Sequence, residues 1–167
     1  MKKTIEIINE LKANGHFKEY AIGGAIAALK WTEPFFTRDL DVFIIPEGDV
    51  DERQVIVLSS IYEYLKGKGY DAWTGQWLII EGTPVEFIPA VGVAEEAVAN
   101  AVETTFEGVK TRVMSPEYLI ALFLKASRDK DKMKVRLLLD QAVINTQRLR
   151  AILTKYDLVE KYERFGQ

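Results

Sequence analysis

The chain has 167 residues, 48% hydrophobic and 28% charged, with a net charge of -3, one histidine and no cysteine. That is enough chain for one domain, or one compact domain with a helical extension, around a proper core. The missing cysteines exclude a disulfide framework, a thiolate metal site and a cysteine nucleophile, and a pI near 5.4 argues against a generally basic surface that coats nucleic acid.

In chain order, Ile5, Ile8 and Leu11 recur at helical spacing and predict an amphipathic first helix over 4–13, ended by Asn14-Gly15. Glu6, Asn9, Glu10 and Lys12 interrupt its apolar residues, so it reads as neither a signal peptide nor a membrane span. No other stretch is apolar for long enough to cross a bilayer, and a reducing cytoplasm is the expected location. His16, the sole histidine, has no partner with which to build a metal cluster, and a solvated or capping role is expected for it.

Tyr20 to Ile22 predict a first strand, Ala25 to Leu29 a helix of small residues close to the sheet, and 32–37 a loop containing Pro34. A second strand runs from Asp39 to Ile45 and ends in the turn cluster Pro46-Glu47-Gly48-Asp49, whose aspartate is a candidate cap for the next helix. In that helix Val55, Leu58, Tyr62 and Leu65 form an apolar stripe that Gly67 and Gly69 end. Two strands follow, Trp77 to Ile80 and Val85 to Ile88, joined by Glu81-Gly82-Thr83-Pro84, which has the composition of a hairpin turn. A helix is expected over Val93 to Val102 and a last strand over Val109 to Val113. Ser115-Pro116-Glu117 combines a hydroxyl cap, a proline where no N–H is needed and an acid in the first turn. From there to Gln167 the chain reads as nearly all helix, so residues 1–114 form a mixed core and 115–167 a helical part packed on it.

The chemistry concentrates between Tyr20 and Ile45. Asp39 and Asp41 stand two apart on a strand, so both carboxylates leave one face beside apolar Leu40, Val42 and Ile44. Like charges this close are costly unless compensated, and a hard divalent cation is the natural compensation. Gly23 and Gly24 let the backbone approach a ligand and offer N–H groups at a helix start, an environment that suits phosphate. Metal and phosphate side by side imply nucleotide chemistry.

The pattern Gly23-Gly24 followed by Thr37-Arg38-Asp39-Leu40-Asp41 resembles the signature of the polymerase-beta-type nucleotidyltransferase superfamily. Within it the likeness is to the small AbiEii-like nucleotidyltransferases, a group that includes toxin components of toxin–antitoxin systems. The resemblance covers Tyr20 to Leu139. It implies an α+β fold, a nucleotidyltransferase-like mixed β-sheet covered by helices and followed by a C-terminal helical part. It also implies a third carboxylate on the strand beside the Asp39/Asp41 strand, and Glu86 in Gly82-Thr83-Pro84-Val85-Glu86-Phe87-Ile88-Pro89-Ala90 is the candidate. Without the resemblance, Glu86 reads as the solvent-facing residue of an edge strand.

The run Lys125 to Lys132 is a second distinctive stretch. By composition it is a solvated face. By its likeness to the AbiEii-like motif, Lys125, Arg128 and Lys130 become triphosphate-binding candidates, with Asp131 holding one of them in place. The chain departs from that motif at Phe35, at Phe123, where relatives often carry a lysine, and at Lys134, where an aspartate often stands.

The expected activity is therefore magnesium-dependent nucleotidyl transfer. Two Mg2+ ions are expected at Asp39, Asp41 and Glu86, the three carboxylates converging on them, with Gly23, Gly24, Thr37 and Arg38 near the phosphates of a nucleoside triphosphate. The acceptor is a hydroxyl of RNA (a tRNA end included), of a protein or of a small molecule, and the toxin likeness implies a cognate antitoxin. Two other readings stand beside it: a degenerate member that binds nucleotide or a partner without transfer, and an interaction module in which Asp39 is ion-paired to an arginine such as Arg128.

Overall fold

The structure is a computed structural model that describes residues 1–47 and 54–165. The expected Asp49 cap and Gln167 lie outside the described residues, as does the side chain of Val55.

Among the described residues seven strands form one mixed sheet: β1 (Glu19–Ile22), β2 (Leu40–Ile45), β3 (Trp73–Thr74), β4 (Trp77–Ile80), β5 (Thr83–Pro89), β6 (Val102–Phe106) and β7 (Val109–Val113), in the order β3-β4-β5-β2-β1-β7-β6. β2 is central, antiparallel to β1 and parallel to β5. Its residues alternate strictly, with Leu40, Val42 and Ile44 fully buried and Asp41, Phe43 and Ile45 on the other face, as a two-residue period requires.

Helices α1 (Lys2–Ala13), α2 (Gly24–Ala28), α3 (Gln54–Gly67) and α4 (Val93–Ala99) cover this sheet, and α5 (Pro116–Ala126), α6 (Asp129–Gln141), α7 (Thr146–Lys155) and α8 (Val159–Phe165) follow it. α1 buries Ile5, Ile8 and Leu11, the three residues whose spacing marked it. α5 starts at Ser115 with Pro116 in its first turn, but the expected hydroxyl cap is not made, because Ser115 Oγ donates to the Glu117 carboxylate at 2.7 Å instead. Glu96 ties α4 to the later helices, because its carboxylate accepts from Lys155, Tyr156 and Tyr118. Those hydrogen bonds, Lys155 first, pull its pKa down to about 2. His16 is not merely solvated: its Nδ1 lies 2.8 Å from Ser60 Oγ and its ring packs on Tyr64. Among the described residues no helix is long and apolar enough to cross a membrane.

Three expectations change. The β4–β5 turn is only Glu81-Gly82, both at positive φ (51° and 77°), so Thr83 already pairs with Ile80. That is the geometry of a two-residue hairpin turn of the primed type, which continues strand twist and keeps Thr83 and Pro84 in the strand. The helix expected to reach Val102 stops at Ala99, and Val102 to Phe106 form β6 instead, since Val, Thr, Thr and Phe favour an extended backbone. The short strand β3 was not expected.

Candidate active site

β2 and β5 run parallel with Asp41 directly beside Glu86 in the register, so both side chains leave the same face of the sheet. Asp39 precedes β2 by one residue and continues the alternation. Burial is the largest influence on Asp41, followed by the negative charges of Glu86 and Asp39. Together they lift its pKa from 3.8 to about 6, against opposing pulls from Arg128 and Lys134. Three carboxylates therefore act on one another, and two cations answer them from across the cleft.

The glycine pair has a packing role besides the phosphate role expected of it. A Cβ on Gly24 would lie 1.8 Å from Asp41 Oδ2, and one on Gly23 would lie 2.5 Å from the Phe43 ring. Gly24 also has φ +59°. The Gly23 N–H donates to the Asp41 main-chain oxygen at 2.9 Å, so that group is engaged by the sheet. The pair seats α2 tightly on β2 and leaves room for the Asp41 carboxylate.

A cleft of about 600 Å³ opens over these groups. Its lining includes Gly24, Thr37, Arg38, Asp39, Asp41 and Glu86 together with the basic Arg128, Lys130 and Lys134. Arg38 stacks over the exposed Phe36 ring at 5.0 Å. Gly23 and Lys125 are not among the lining residues. Lys125 is exposed in the last turn of α5, where a cation favours the helix dipole.

Asp131 organises the basic side. Its carboxylate is 1% exposed and accepts from Arg128 Nε at 2.6 Å on one oxygen and from Lys134 Nζ at 2.7 Å on the other. Burial pulls its pKa upward, yet the hydrogen bonds from Arg128 and Lys134 outweigh that and leave it lowered. Lys134, a departure from the motif, thus becomes a cleft residue, with its ammonium over the ring of Phe123, another departure, at 5.2 Å. The signal for it lay in helical spacing: Asp131, Lys134, Val135 and Leu138 share one face of α6, and that face is turned inward.

Glu86 is held from outside the cluster, since Gln76 Nε2 donates to its Oε2 at 2.9 Å. Beside it Trp77 lines the cleft with an indole N–H that is buried and has no partner among the described residues. Sequence reasoning missed Gln76, Trp77 and Lys134.

Neither Asp39, Asp41 nor Glu86 forms a salt bridge among the described residues. An ion pair between Asp39 and Arg128 is therefore not how this charge is compensated; Arg128 bonds Asp131. The donor set fits a hard cation, because it is all carboxylate oxygen, partly buried and without a direct ion pair among the described residues. Yet no trio of acidic or imidazole side chains among the described residues is already closed around a metal-sized point. The expected convergence of all three carboxylates is absent here, as like charges separate unless a cation draws them together.

A family profile described as "nucleotidyl transferase of unknown function (DUF2204)" matches residues 1–165. No curated protein matches significantly. Among solved structures, an antigenic nucleotidyltransferase-like protein from Paracoccidioides brasiliensis is 18% identical, with 99% of this chain and 89% of that one covered and a TM-score of 0.57. The antibiotic-resistance factor ANT(2'')-Ia is 18% identical at a TM-score of 0.51, with 98% and 99% covered. Its complex with adenylyl-2''-tobramycin gives 16% and 0.52, with 96% and 99% covered. At such identities the likeness is one of fold.

Proposed function

Because the chain belongs to this family of nucleotidyl transferases, we propose that it moves a nucleoside monophosphate from a nucleoside triphosphate to an acceptor hydroxyl in the cleft over β2 and β5. In that reaction the acceptor oxygen bonds to the α-phosphorus, the bond to the β-phosphate oxygen breaks, and pyrophosphate leaves. The observation that carries the reading is the in-register pair Asp41 and Glu86 facing Arg128 and Lys134 across one cleft.

Asp39 and Asp41 are the residues that would hold magnesium, with Glu86 completing the set. Magnesium would neutralise polyphosphate charge and make a bound hydroxyl more acidic. Arg128 and Lys134, fixed by Asp131, would bind the departing phosphates, and Lys130 would reach them from the rim. Gly24 keeps the Asp41 carboxylate seated. Glu86, steadied on one oxygen by Gln76, leaves its other oxygen to take the acceptor proton.

The ANT(2'')-Ia complex holds an adenylylated small molecule, and a cleft of about 600 Å³ is in the usual range for a small-molecule site. A small hydroxyl compound is accordingly the first acceptor to test, before a tRNA end or a protein. On the AbiEii-like resemblance, a cognate antitoxin would be a partner, and co-purification from the native cell tests it. The second reading, a nucleotide binder without transfer, uses the same cleft, and the register that sets Glu86 beside Asp41 counts against it.

Titration calorimetry with each nucleoside triphosphate tests the binding step. Binding that requires magnesium and disappears in Asp39→Asn/Asp41→Asn supports both readings of the cleft, and equal binding by the double variant removes both.

A further inference from the structure

The sheet ends at β6, on the side away from the carboxylates, and among the described residues nothing pairs with the outer side of that strand. Native edges are commonly blunted by lysine, proline, a bulge or extreme shortness. The opposite edge, β3, is two residues long. β6, Val102-Glu103-Thr104-Thr105-Phe106, has five residues in unbroken register with β7 and neither lysine nor proline.

Strand parity fixes which backbone groups are free. The β6–β7 turn is Glu107-Gly108, with φ of 48° and 82°, a two-residue turn that makes Phe106 and Val109 a hydrogen-bonded pair. Alternation then directs the N–H and C=O of Phe106, Thr104 and Val102 toward β7. Two bonds on the other side of β7 agree with this parity. Asn9 Nδ2 donates to the Lys110 oxygen at 2.8 Å, and the Met114 N–H donates to the Ile22 oxygen at 3.0 Å. Glu103 and Thr105 are left with N–H and C=O groups aimed at the open edge.

We propose that β6 pairs antiparallel with β6 of a second copy of this chain, centred on Thr104. In that register Glu103 stands opposite Thr105 of the second copy, and the reverse, so the outward groups of both strands are used in narrow hydrogen-bonded pairs. On one face Val102, 38% exposed, meets Phe106, also 38% exposed, an aliphatic–aromatic pair repeated by the symmetry. An apolar pocket of about 360 Å³, lined by Met1, Ile5, Ile26, Leu29 and Phe106, lies beside that pair. On the other face Glu103 has Arg112 beside it in its own sheet, and beyond Thr105 of the second copy comes that copy's Lys110. The acid of the edge thus has a basic neighbour in its own sheet and a threonine directly opposite it, with a lysine one strand further on. No two like charges stand directly opposite each other in this register; the two Glu103 side chains meet only on the longer diagonal. The pairing is independent of the nucleotidyl-transfer reading and leaves the cleft over β2 and β5 open.

Light-scattering mass measurement on the full chain tests it, from dilute solution to about 100 μM, where a contact between two short strands is populated if its Kd is in the micromolar range. The mass should rise from 19.0 kDa toward about twice that value. Thr105→Pro deletes an outward N–H that β7 does not use, and Thr104→Lys places two cations opposite each other at the symmetry centre. Each should remain at monomer mass with an unchanged circular dichroism spectrum. In the unsubstituted chain the Glu103 and Thr105 amides should exchange more slowly as concentration rises. A monomer mass at about 100 μM overturns the proposal, as does a dimer that persists in a folded variant. If Thr105→Pro does not fold, Thr104→Lys decides alone.

Discussion

Replacing Asp41 by asparagine should make the protein more stable while it removes a cleft carboxylate. Burial and the charges of Glu86 and Asp39 raise the Asp41 pKa from 3.8 to about 6, so the folded state holds this proton more tightly than the unfolded chain does. The contribution to stability is therefore fully present below pH 3.8 and is lost as pH rises through about 6. At pH 8 the ionised carboxylate costs up to about 3 kcal/mol relative to its protonated form. Asparagine has nearly the same shape, fits the space that Gly24 leaves and carries no charge. Asp41→Asn is expected to raise Tm at pH 8 by roughly 6–12 °C for a chain of this length, and the gain should shrink toward zero near pH 4. Thermal unfolding by circular dichroism at the two pH values reads it. A variant less stable at pH 8, or a gain that is the same at both pH values, would refute the charge argument.

Gly24→Ala should cost about 1–3 kcal/mol and abolish magnesium-dependent triphosphate binding, because a Cβ would lie 1.8 Å from Asp41 Oδ2 on a backbone at φ +59°; denaturant unfolding and calorimetry check the two parts. Arg128→Ala and Lys134→Ala should each weaken triphosphate binding by about 1.5–3 kcal/mol, more than they weaken monophosphate binding, whereas Lys125→Ala should leave both unchanged. A loss in Lys125→Ala equal to that in Lys134→Ala would place the polyphosphate elsewhere.

Asp39 and Asp41 were legible as a same-face pair because a strand period of two is unambiguous when a buried face alternates with a polar one, as in β2, whereas Glu86 became a candidate only through the family resemblance. The start of α5, marked by Pro116, and the stripe of α1 were legible for the same kind of local reason. Lys134 and Gln76 were not, because their place depends on how α6 and the β3–β4 hairpin pack over the sheet, which no local pattern encodes. Lys125 and Arg128 looked equivalent in sequence, and only the left-handed turn at Ser127 (φ 52°) separates the helix ends that carry them. Val102, the first residue of β6, was misread as helix because it follows Val93, Ala94, Ala97 and Val98 at an interval that also suits a helical stripe, and no element was expected over the rest of β6. The packing role of the glycine pair was not legible, since its crowding against Asp41 and Phe43 is a tertiary fact.

The most direct test of nucleotidyl transfer is to incubate the protein with magnesium, a pool of cell metabolites and RNA, and nucleoside triphosphate labelled either at the α- or at the γ-phosphate. Transfer predicts that the α-label alone becomes attached to an acceptor, that the γ-label appears in pyrophosphate, and that Glu86→Gln loses most of the product while keeping triphosphate binding. Attachment of the γ-label instead, or α-labelled product formed equally well by Glu86→Gln, would contradict the account.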